Sequence, residues 1–339
     1  MKMRVQKACG PFIGIAITCV FLILGAIAQA QNLFVADFGG SSVYKFTPDG
    51  TPSTYASGLS NPIGLAFDCA GNLYVSEYMG NDVLKFTPGG VKSVYASGII
   101  EPTGLAFDHS GNLFVASARA SITKIDTNEV QNTFASGLGL GSPYGLAFDR
   151  AGNLFAADPL KNVVDEFATN GTMTVFASGL GSPVAVAFDC QSNLYVANAF
   201  SNSIIQFPAG GPQTNFASVF NPWGMVFNNA GDMFITEGTG GGVMEITTTG
   251  YQIMFASGFT NLIGLAFQPT PKLAVTSAKG AVQLTVSVPS PSPLSQTIVQ
   301  TSTDLMNWSN VYTNVSPFVF TNPVDLGTPY RFYRTVMWP

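Results

Sequence analysis

Short apolar runs recur along the chain at a nearly constant spacing. One of them starts at residues 32, 72, 112, 153, 193 and 232, so the offsets between successive copies are 40, 40, 41, 40 and 39. A sequence that repeats itself with such a period predicts a repeat architecture. The copies are NLFVAD (32–37), NLYVSE (72–77), NLFVAS (112–117), NLFAAD (153–158), NLYVAN (193–198) and DMFITE (232–237).

Each repeat contains three further runs of the same kind, such as VLKFTP (83–88), SVYASG (93–98) and PTGLAFD (102–108). Runs such as GLAF and NLFV are apolar at nearly every position, which is typical of strands buried on both faces. Four short strands in each unit are typical of a propeller blade. We therefore predict an all-β fold, a six-bladed β-propeller over residues 31–268.

The order of the runs predicts how the ring closes. The first run of the array is a second strand, at residues 32–37, and the last is an innermost strand, LIGLAFQ (262–268). Pairing these two runs completes one blade from both ends of the array and removes an exposed sheet edge.

A turn of the form Asp-x-x-Gly-Asn connects the innermost strand of each unit to the second. Asp accepts backbone N–H bonds at the start of such a turn, and Gly adopts the left-handed conformation that ends it. His109, the single histidine of the chain, occupies the first variable position of one turn. Other copies have Cys69, Arg150, Cys190 and Asn229 at this position, so we interpret His109 as a turn residue rather than a catalytic or metal-binding one.

Cys69 and Cys190 hold identical positions three repeats apart, on opposite sides of a six-membered ring. A disulfide requires Cα atoms within about 7 Å, so we predict two free thiols.

The termini have different compositions. Residues 1–30 combine Lys2, Arg4 and Lys7 with a long apolar run and Ala28-Gln29-Ala30, which predicts a signal peptide, with an uncleaved membrane anchor as the alternative. Residues 269–271 are read as a linker, and residues 272–339 as a small β-sandwich-like domain. The predicted location is secreted, periplasmic or cell-surface.

The charge pattern removes one class of partner. Without residues 1–30 the chain has 11 basic and 19 acidic residues, a formal charge of 11 − 19 = −8, and it has no Lys/Arg run. Nucleic acid is therefore not an expected partner. No membrane span is expected after signal cleavage, and we expect a monomer.

The stretch PTGLAFDHSGNLFVAS and its copies resemble NHL repeats and, more broadly, the propellers of the gluconolactonase and senescence-marker lactonase family. The end of the tail, STDLMNWSNV and YRFYR, resembles a short C-terminal module of exported bacterial proteins. The lactonase resemblance implies a divalent metal held by Glu, Asn or Asp just before the glycine of each innermost strand. None of the residues at these positions is a carboxylate or an amide, so no metal site of that kind is expected: Ile63, Thr103, Tyr144, Val184, Trp223 and Ile263.

Two sets of residues are candidates for binding. Four of the six second strands end in an acidic residue: Asp37, Glu77, Asp158 and Glu237. These residues form either a weak site for a cation such as calcium or for a polar ligand, or hydrogen bonds to the backbone of their own loops. At the mouth of the channel, Tyr144 and Trp223, with Thr103, are the candidate ligand-binding residues, and packing as a plug is the alternative.

These observations favour a binding or interaction module for a small molecule, a glycan or a protein. The alternative is a lactonase-like hydrolase acting at the central channel. No catalytic residue, metal ligand or cofactor is predicted, because the chain contains no nucleophile motif, phosphate-binding loop or Cys/His cluster.

Overall fold

The structure, a computed structural model, describes residues 31–137 and 139–269 and, beyond them, six strands between residues 272 and 338. The predicted signal peptide and residues 270–271 of the predicted linker lie outside the described residues. The strands before residue 270 and those after it belong to two separate compact units.

The larger unit consists of six antiparallel four-stranded sheets, which are the blades of a propeller. The innermost strands are β4 (Pro62–Phe67), β8 (Pro102–Phe107), β12 (Leu146–Phe148), β16 (Pro183–Phe188), β20 (Pro222–Phe227) and β24 (Leu262–Phe267). The second strands are β1 (Leu33–Asp37), β5 (Leu73–Glu77), β9 (Leu113–Ser117), β13 (Leu154–Asp158), β17 (Leu194–Asn198) and β21 (Met233–Glu237). The described residues of this unit contain no helix.

The two outer strands complete each blade. The third strands are β2 (Ser42–Phe46), β6 (Asp82–Phe86), β10 (Ser121–Ile125), β14 (Val163–Phe167), β18 (Ser203–Phe207) and β22 (Gly242–Ile246). The outermost strands are β3 (Pro52–Ser57), β7 (Lys92–Ser97), β11 (Gln131–Ser136), β15 (Met173–Ser178), β19 (Thr214–Ser218) and β23 (Gln252–Ala256). We number the blades by these outermost strands, blade 1 ending in β3 and blade 6 in β23.

Blade 1 is built from both ends of the array. Strand β24 pairs antiparallel with β1, Leu33 lying opposite Phe267, and β2 and β3 complete the sheet. The predicted blade count and ring closure are confirmed.

Aromatic rings fill each seam between neighbouring blades. The aromatic residue at the second position of each second strand, such as Phe114, contacts two rings. One lies on the outermost strand of its own blade, Phe134, and the other on the innermost strand of the next blade, Phe148. All twelve contacts of these two kinds have centroid distances of 4.8 to 5.2 Å and edge-to-face geometry. Edge-to-face pairs add stability beyond the area they bury, so the same contact set holds every seam together.

The turns between the innermost and second strands have the predicted hydrogen bonds and backbone conformation. Asp108 Oδ1 accepts the N–H groups of Ser110 and Asn112, and Gly111 has φ of +84°. His109 is exposed on this turn, as predicted. Cys69 and Cys190 are exposed on two equivalent turns and are not bonded to each other.

The smaller unit contains two three-stranded antiparallel sheets. Its strands are β25 (Lys272–Ala278), β26 (Ala281–Ser287), β27 (Gln296–Ser302), β28 (Ser309–Asn314), β29 (Phe318–Pro323) and β30 (Phe332–Trp338). One sheet has the order β25-β26-β29 and the other β28-β27-β30. Strand β28 was not among the predicted runs, because SNVYTN is largely polar, and a sandwich arrangement stays a prediction.

Among the described residues, no helix is long and apolar enough to cross a bilayer.

Candidate binding face around the central channel

The innermost strands begin on the side of the propeller where the second strands end, because Pro62 pairs with Glu77 and Pro102 with Ser117. We call this side the upper face. The loops after the second strands and the loops that cross to the next blade lie on it. The Asp-x-x-Gly-Asn turns lie on the opposite side, the lower face.

The channel is narrow because backbones approach each other closely around it. A Cβ on Gly104 would lie 2.0 Å from the carbonyl oxygen of Tyr144 in the next blade, and one on Gly264 would lie 1.9 Å from that of Ile63. Only glycine allows this approach. The cavity that remains has a volume of about 90 Å³, well below the roughly 300–1,000 Å³ of ordinary ligand pockets.

At two places around the channel, a side-chain hydroxyl bridges the backbones of neighbouring innermost strands. In blade 3 the Gly104 N–H donates directly to the Tyr144 carbonyl at 2.9 Å. In blade 6, Thr236 Oγ1 instead accepts the Gly224 N–H at 2.7 Å and donates to the Ile263 carbonyl at 2.5 Å. Ser76 makes the same relay in blade 2. A buried hydroxyl therefore satisfies both backbone groups where they do not meet each other.

The positions that the lactonase resemblance assigns to a metal do not fit one. Ile63, Val184 and Ile263 are aliphatic and line the channel. Thr103, a candidate ligand-binding residue, has no exposed surface, and its hydroxyl donates to the Pro143 carbonyl at 2.8 Å. Divalent cations of the calcium type require several oxygen ligands, and this set does not supply them.

Tyr144 and Trp223 are brought together at the mouth of the channel. Their ring centroids are 5.7 Å apart and the planes are tilted by 59°, although Val184 of the intervening blade separates them in the ring. The Trp223 indole N–H donates to Asn221 Oδ1 at 2.6 Å. Trp223 packs against Gly238, where a Cβ would come within 2.3 Å of the indole. Burial raises the pKa of Tyr144 to about 12.

The four carboxylates of the predicted acidic ring accept backbone N–H groups. Asp158 accepts from Gly141 and Ser142 in the loop that enters its blade, and also from Lys161 in the loop that follows it. Glu77 accepts the Ser60 N–H at 2.8 Å in the same way.

The other two carboxylates repeat this pattern at their own blades. Asp37 accepts the Asn261 N–H at 3.1 Å, and Glu237 accepts the Phe220 N–H. Asp37 and Asp158 also accept N–H groups of the following loop, from Gly40 and Lys161, as one of the two sequence interpretations expected. The bond shared by all four goes to the loop that crosses from the previous blade. Each carboxylate thus fixes one crossover loop on the upper face.

The upper-face loops also expose large apolar side chains. Phe200 is 85% exposed and Leu160 is 72% exposed. Each lies two residues after the end of a buried second strand, in a turn where polar residues or glycine are usual. Met79 occupies the same loop position in blade 2, whereas Ile100 and Phe220 lie on the crossover loops that enter blades 3 and 6. The complete set is Met79, Ile100, Leu160, Phe200 and Phe220, which we call the upper-face apolar set.

Two features of this site were missed from the sequence. The crossover into blade 4, SGLGLGSPYG (136–145), has two residues more than its counterpart SGIIEPTG (97–104), a length difference that alignment of the repeats reveals. Three members of the upper-face apolar set, Met79, Leu160 and Phe200, follow from reading one loop position across the repeats, as in YMGN and AFSN.

No family model matches the chain, and no curated protein matches it. Solved structures do match its fold. A chain of a nidogen/laminin complex superposes with a TM-score of 0.64 and 17% identity, covering 70% of this chain and 98% of that one. A streptogramin B lyase gives a TM-score of 0.57 with 12% identity, covering 76% and 87%. A gluconolactonase from Xanthomonas campestris gives 0.56 with 18% identity, covering 77% and 92%.

At these identities the similarities show the propeller fold alone. The proteins that share it include a chain of a nidogen/laminin complex as well as a lyase and a gluconolactonase, so the fold does not choose between binding and catalysis.

Proposed function

We propose that this chain is a binding module whose upper face docks a protein partner. The observation that carries the proposal is the upper-face apolar set, five large side chains exposed on loops around the channel mouth. Exposed apolar side chains concentrated on one face of a folded protein favour an interaction surface, and Phe and Met are enriched at such surfaces.

Three properties of the face support a partner larger than a small molecule. The channel cavity of about 90 Å³ is too small to bury one. The exposed side chains are aliphatic or phenyl groups, which offer no hydrogen bonds to a sugar. Three of the loops that present them are held by hydrogen bonds: Glu237 accepts the Phe220 N–H, Asp158 accepts the N–H of Lys161 next to Leu160, and the Ser117 hydroxyl donates to the Ile100 carbonyl. Less conformational entropy is therefore lost when these loops dock.

Four further proposals concern the type of repeat, export, the C-terminal unit and the oligomeric state. We propose that the repeats are of the NHL type and that the chain is exported by residues 1–30. We further propose that the C-terminal unit is the module of exported proteins, and that the propeller acts as a monomer. A lactonase-like activity at the channel is the alternative, supported by the fold of the gluconolactonase, and a lactone screen with metal analysis of the purified protein tests it.

The docking proposal is tested with paired variants. Phe200→Ser and Met79→Ser remove upper-face apolar side chains, while Val94→Ser and Val175→Ser remove apolar side chains that are more than half exposed on outermost strands. On arrays of peptides and glycans, we expect peptide binding that the first pair abolishes and the second pair leaves unchanged. Equal loss in both pairs, or binding to glycans alone, would contradict the proposal.

The variant Trp223→Ala tests whether the indole at the channel mouth binds a partner or only packs the channel. If the indole is packing, the variant loses about 3 kcal/mol of unfolding free energy because a cavity remains. If it is part of the docking surface, the melting temperature changes little while peptide binding is lost. Gly238→Ala displaces the indole without deleting it and is the matched control.

A further inference from the structure

A second cavity opens on the lower face at the seam between blade 6 and blade 1. Its volume is about 230 Å³. Three phenyl rings, Phe234, Phe255 and Phe267, form its wall, and two carboxylates, Asp232 and Glu245, lie on it. Phe234 meets the other two rings edge-to-face at centroid distances of 5.1 and 5.0 Å, so the wall is the aromatic contact set of this seam.

In two other blades, a lysine lies beside the aromatic rings that correspond to Phe234 and Phe255. The third-strand residue directly opposite the second-strand ring is Lys85 in blade 2 and Lys124 in blade 3. The Lys85 ammonium lies 5.5 Å from the Tyr74 ring centroid and 5.6 Å from that of Tyr95, and the Lys124 ammonium lies 5.5 Å from that of Phe114. In these blades the chain places its own alkylammonium group on the aromatic pair, at a distance typical of cation–π interactions.

Blade 6 has the aromatic pair without that lysine. Glu245 occupies the position opposite Phe234. The turn beside it is also reversed, because the usual Asp-x-x-Gly-Asn order has become Asn228-x-x-Gly-Asp232. Asn228 still accepts the turn N–H groups, through Oδ1, and its amide donates to Asp232 Oδ2 at 3.0 Å. The exchange keeps the turn and moves its carboxylate to the Asp232 position.

Blade 4 provides the internal comparison. Glu166 lies opposite Phe155 there, but its turn keeps the usual order and ends in Asn153. Among the six blades, only the sequence of blade 6 combines two acidic residues at these positions. Burial and the charge of Asp232 both raise the pKa of Glu245, as expected where two carboxylates line one pocket.

We propose that the pocket between blades 6 and 1 binds an alkylammonium group supplied from outside the chain. The ammonium would lie against Phe234 and Phe255 where Lys85 lies in blade 2, and Glu245 and Asp232 would neutralise its charge. A lysine side chain of a bound peptide and a free alkylamine share this chemistry. The site is independent of the upper face and does not rest on the proposed function.

The first experiment is a calorimetric titration of the full chain with n-butylammonium chloride, with n-butanol and sodium chloride as matched controls. We expect saturable binding of the ammonium with a Kd on the order of 1 mM, as a cation–π contact and two carboxylates would give, and none of the controls. Equal binding of n-butanol, or no ammonium binding, would overturn the proposal.

The second experiment fills the site with the chain's own cation. Glu245→Lys recreates the arrangement of blades 2 and 3 and should remove ammonium binding, while Glu166→Lys in blade 4 should leave it unchanged. Glu245→Gln, which keeps the shape, should weaken it at least about tenfold through lost charge attraction. Melting temperatures near that of the parent confirm that the variants fold. Binding that survives Glu245→Lys in a folded variant would refute the assignment.

Titration with an acetylated Gly-Lys-Gly peptide and with putrescine distinguishes the two sources. Tighter binding of the peptide assigns the site to a lysine side chain, and tighter binding of putrescine assigns it to a free amine. Both results support the site, whereas failure of both to compete with n-butylammonium would contradict it.

Discussion

The seams between blades and the upper face are built from the same six repeats, yet they differ in how much the repeats vary. Every seam uses an aromatic ring at the same second-strand position with the same two neighbours. On the upper face, the equivalent loop position is Met79 in one blade, Leu160 in another and Phe200 in a third. Even the channel mouth differs from blade to blade, Tyr144 and Trp223 being its two aromatic residues.

The difference follows from what constrains each region. A seam ring is enclosed by two neighbours, so a change in volume leaves a cavity or a clash. A loop residue on the upper face meets solvent, and the carboxylate that ties its neighbouring crossover loop is a separate residue. Folding thus constrains the seams, and the upper face is left available for recognition.

The sharpest test of this comparison substitutes one phenylalanine in each region. Phe114→Ala removes a ring held between Phe134 and Phe148 and should lower the free energy of unfolding by about 3–5 kcal/mol. Phe200→Ala should change it by less than about 0.5 kcal/mol. Denaturant titrations measure both. Phe114→Tyr, the residue type of Tyr74 in blade 2, is the control and should cost far less. Similar costs for both alanine variants would break the comparison.

Asp165 is a buried carboxylate in the third strand of blade 4, and its effect on stability should depend on pH. It has no exposed surface, its oxygens have no hydrogen-bond partner, and its position is filled by Leu84 and Ile205 in other blades. Burial and the charge of Asp158 raise its pKa to about 6, and Lys161 acts in the opposite direction. Because the folded state holds this proton more tightly than the unfolded state, the free energy of unfolding falls as pH rises from about 4 to about 6.

Asp165→Asn isolates this contribution. The variant should match the parent near pH 4 and exceed its unfolding free energy by roughly 2–3 kcal/mol at pH 8. Thermal unfolding at a series of pH values measures the difference, and Glu166→Gln is the neighbouring control. A difference that stays constant with pH would show that Asp165 does not carry the effect.

The relay hydroxyl of Thr236 should have a smaller effect. Thr236→Val keeps the shape but leaves the Gly224 N–H and the Ile263 carbonyl without their partner, which should cost about 1–3 kcal/mol. Thr236→Ser retains the hydroxyl and should stay close to the parent. Equal stability of the valine and serine variants would contradict this prediction. It would indicate that the Gly224 N–H donates directly to the Ile263 carbonyl, as the Gly104 N–H does to the Tyr144 carbonyl in blade 3.

Calcium should have the smallest effect. The carboxylates of Asp37, Glu77 and Asp158 already accept backbone N–H groups, so millimolar calcium should leave the melting temperature essentially unchanged. A rise of several degrees would show that the folded state binds the ion. The same scan in magnesium is the control.

The contrast also explains what could be predicted from the sequence. The spacing of the apolar runs was enough to predict six blades and the pairing of Leu33 with the strand that contains Phe267, because strand order follows from chain order. The contact between Tyr144 and Trp223 could not be predicted, since it depends on side-chain directions across an intervening blade. Nor could the partner of Glu77, because the length of a crossover loop does not determine which N–H reaches a carboxylate.

Some signals were present and unused. The six aromatic residues at one second-strand position could have been read as the seam contacts, and Asp165 stands out once the third strands are aligned. Both require the repeats to be compared column by column rather than run by run.

The composite blade has a consequence for synthesis. Its sheet joins residues far apart in the chain, as the bond from Gln31 to Gln268, 237 positions away, illustrates. A growing chain exposes β1 to β3 first, but their sheet gains its innermost strand only when β24 has left the ribosome. Since distant pairings carry the largest loop-closure entropy, ring closure is the last and slowest contact to form. Until then the unpaired edge of β1 is open to other strands, so chaperone protection is needed for the whole interval between the synthesis of β1 and that of β24.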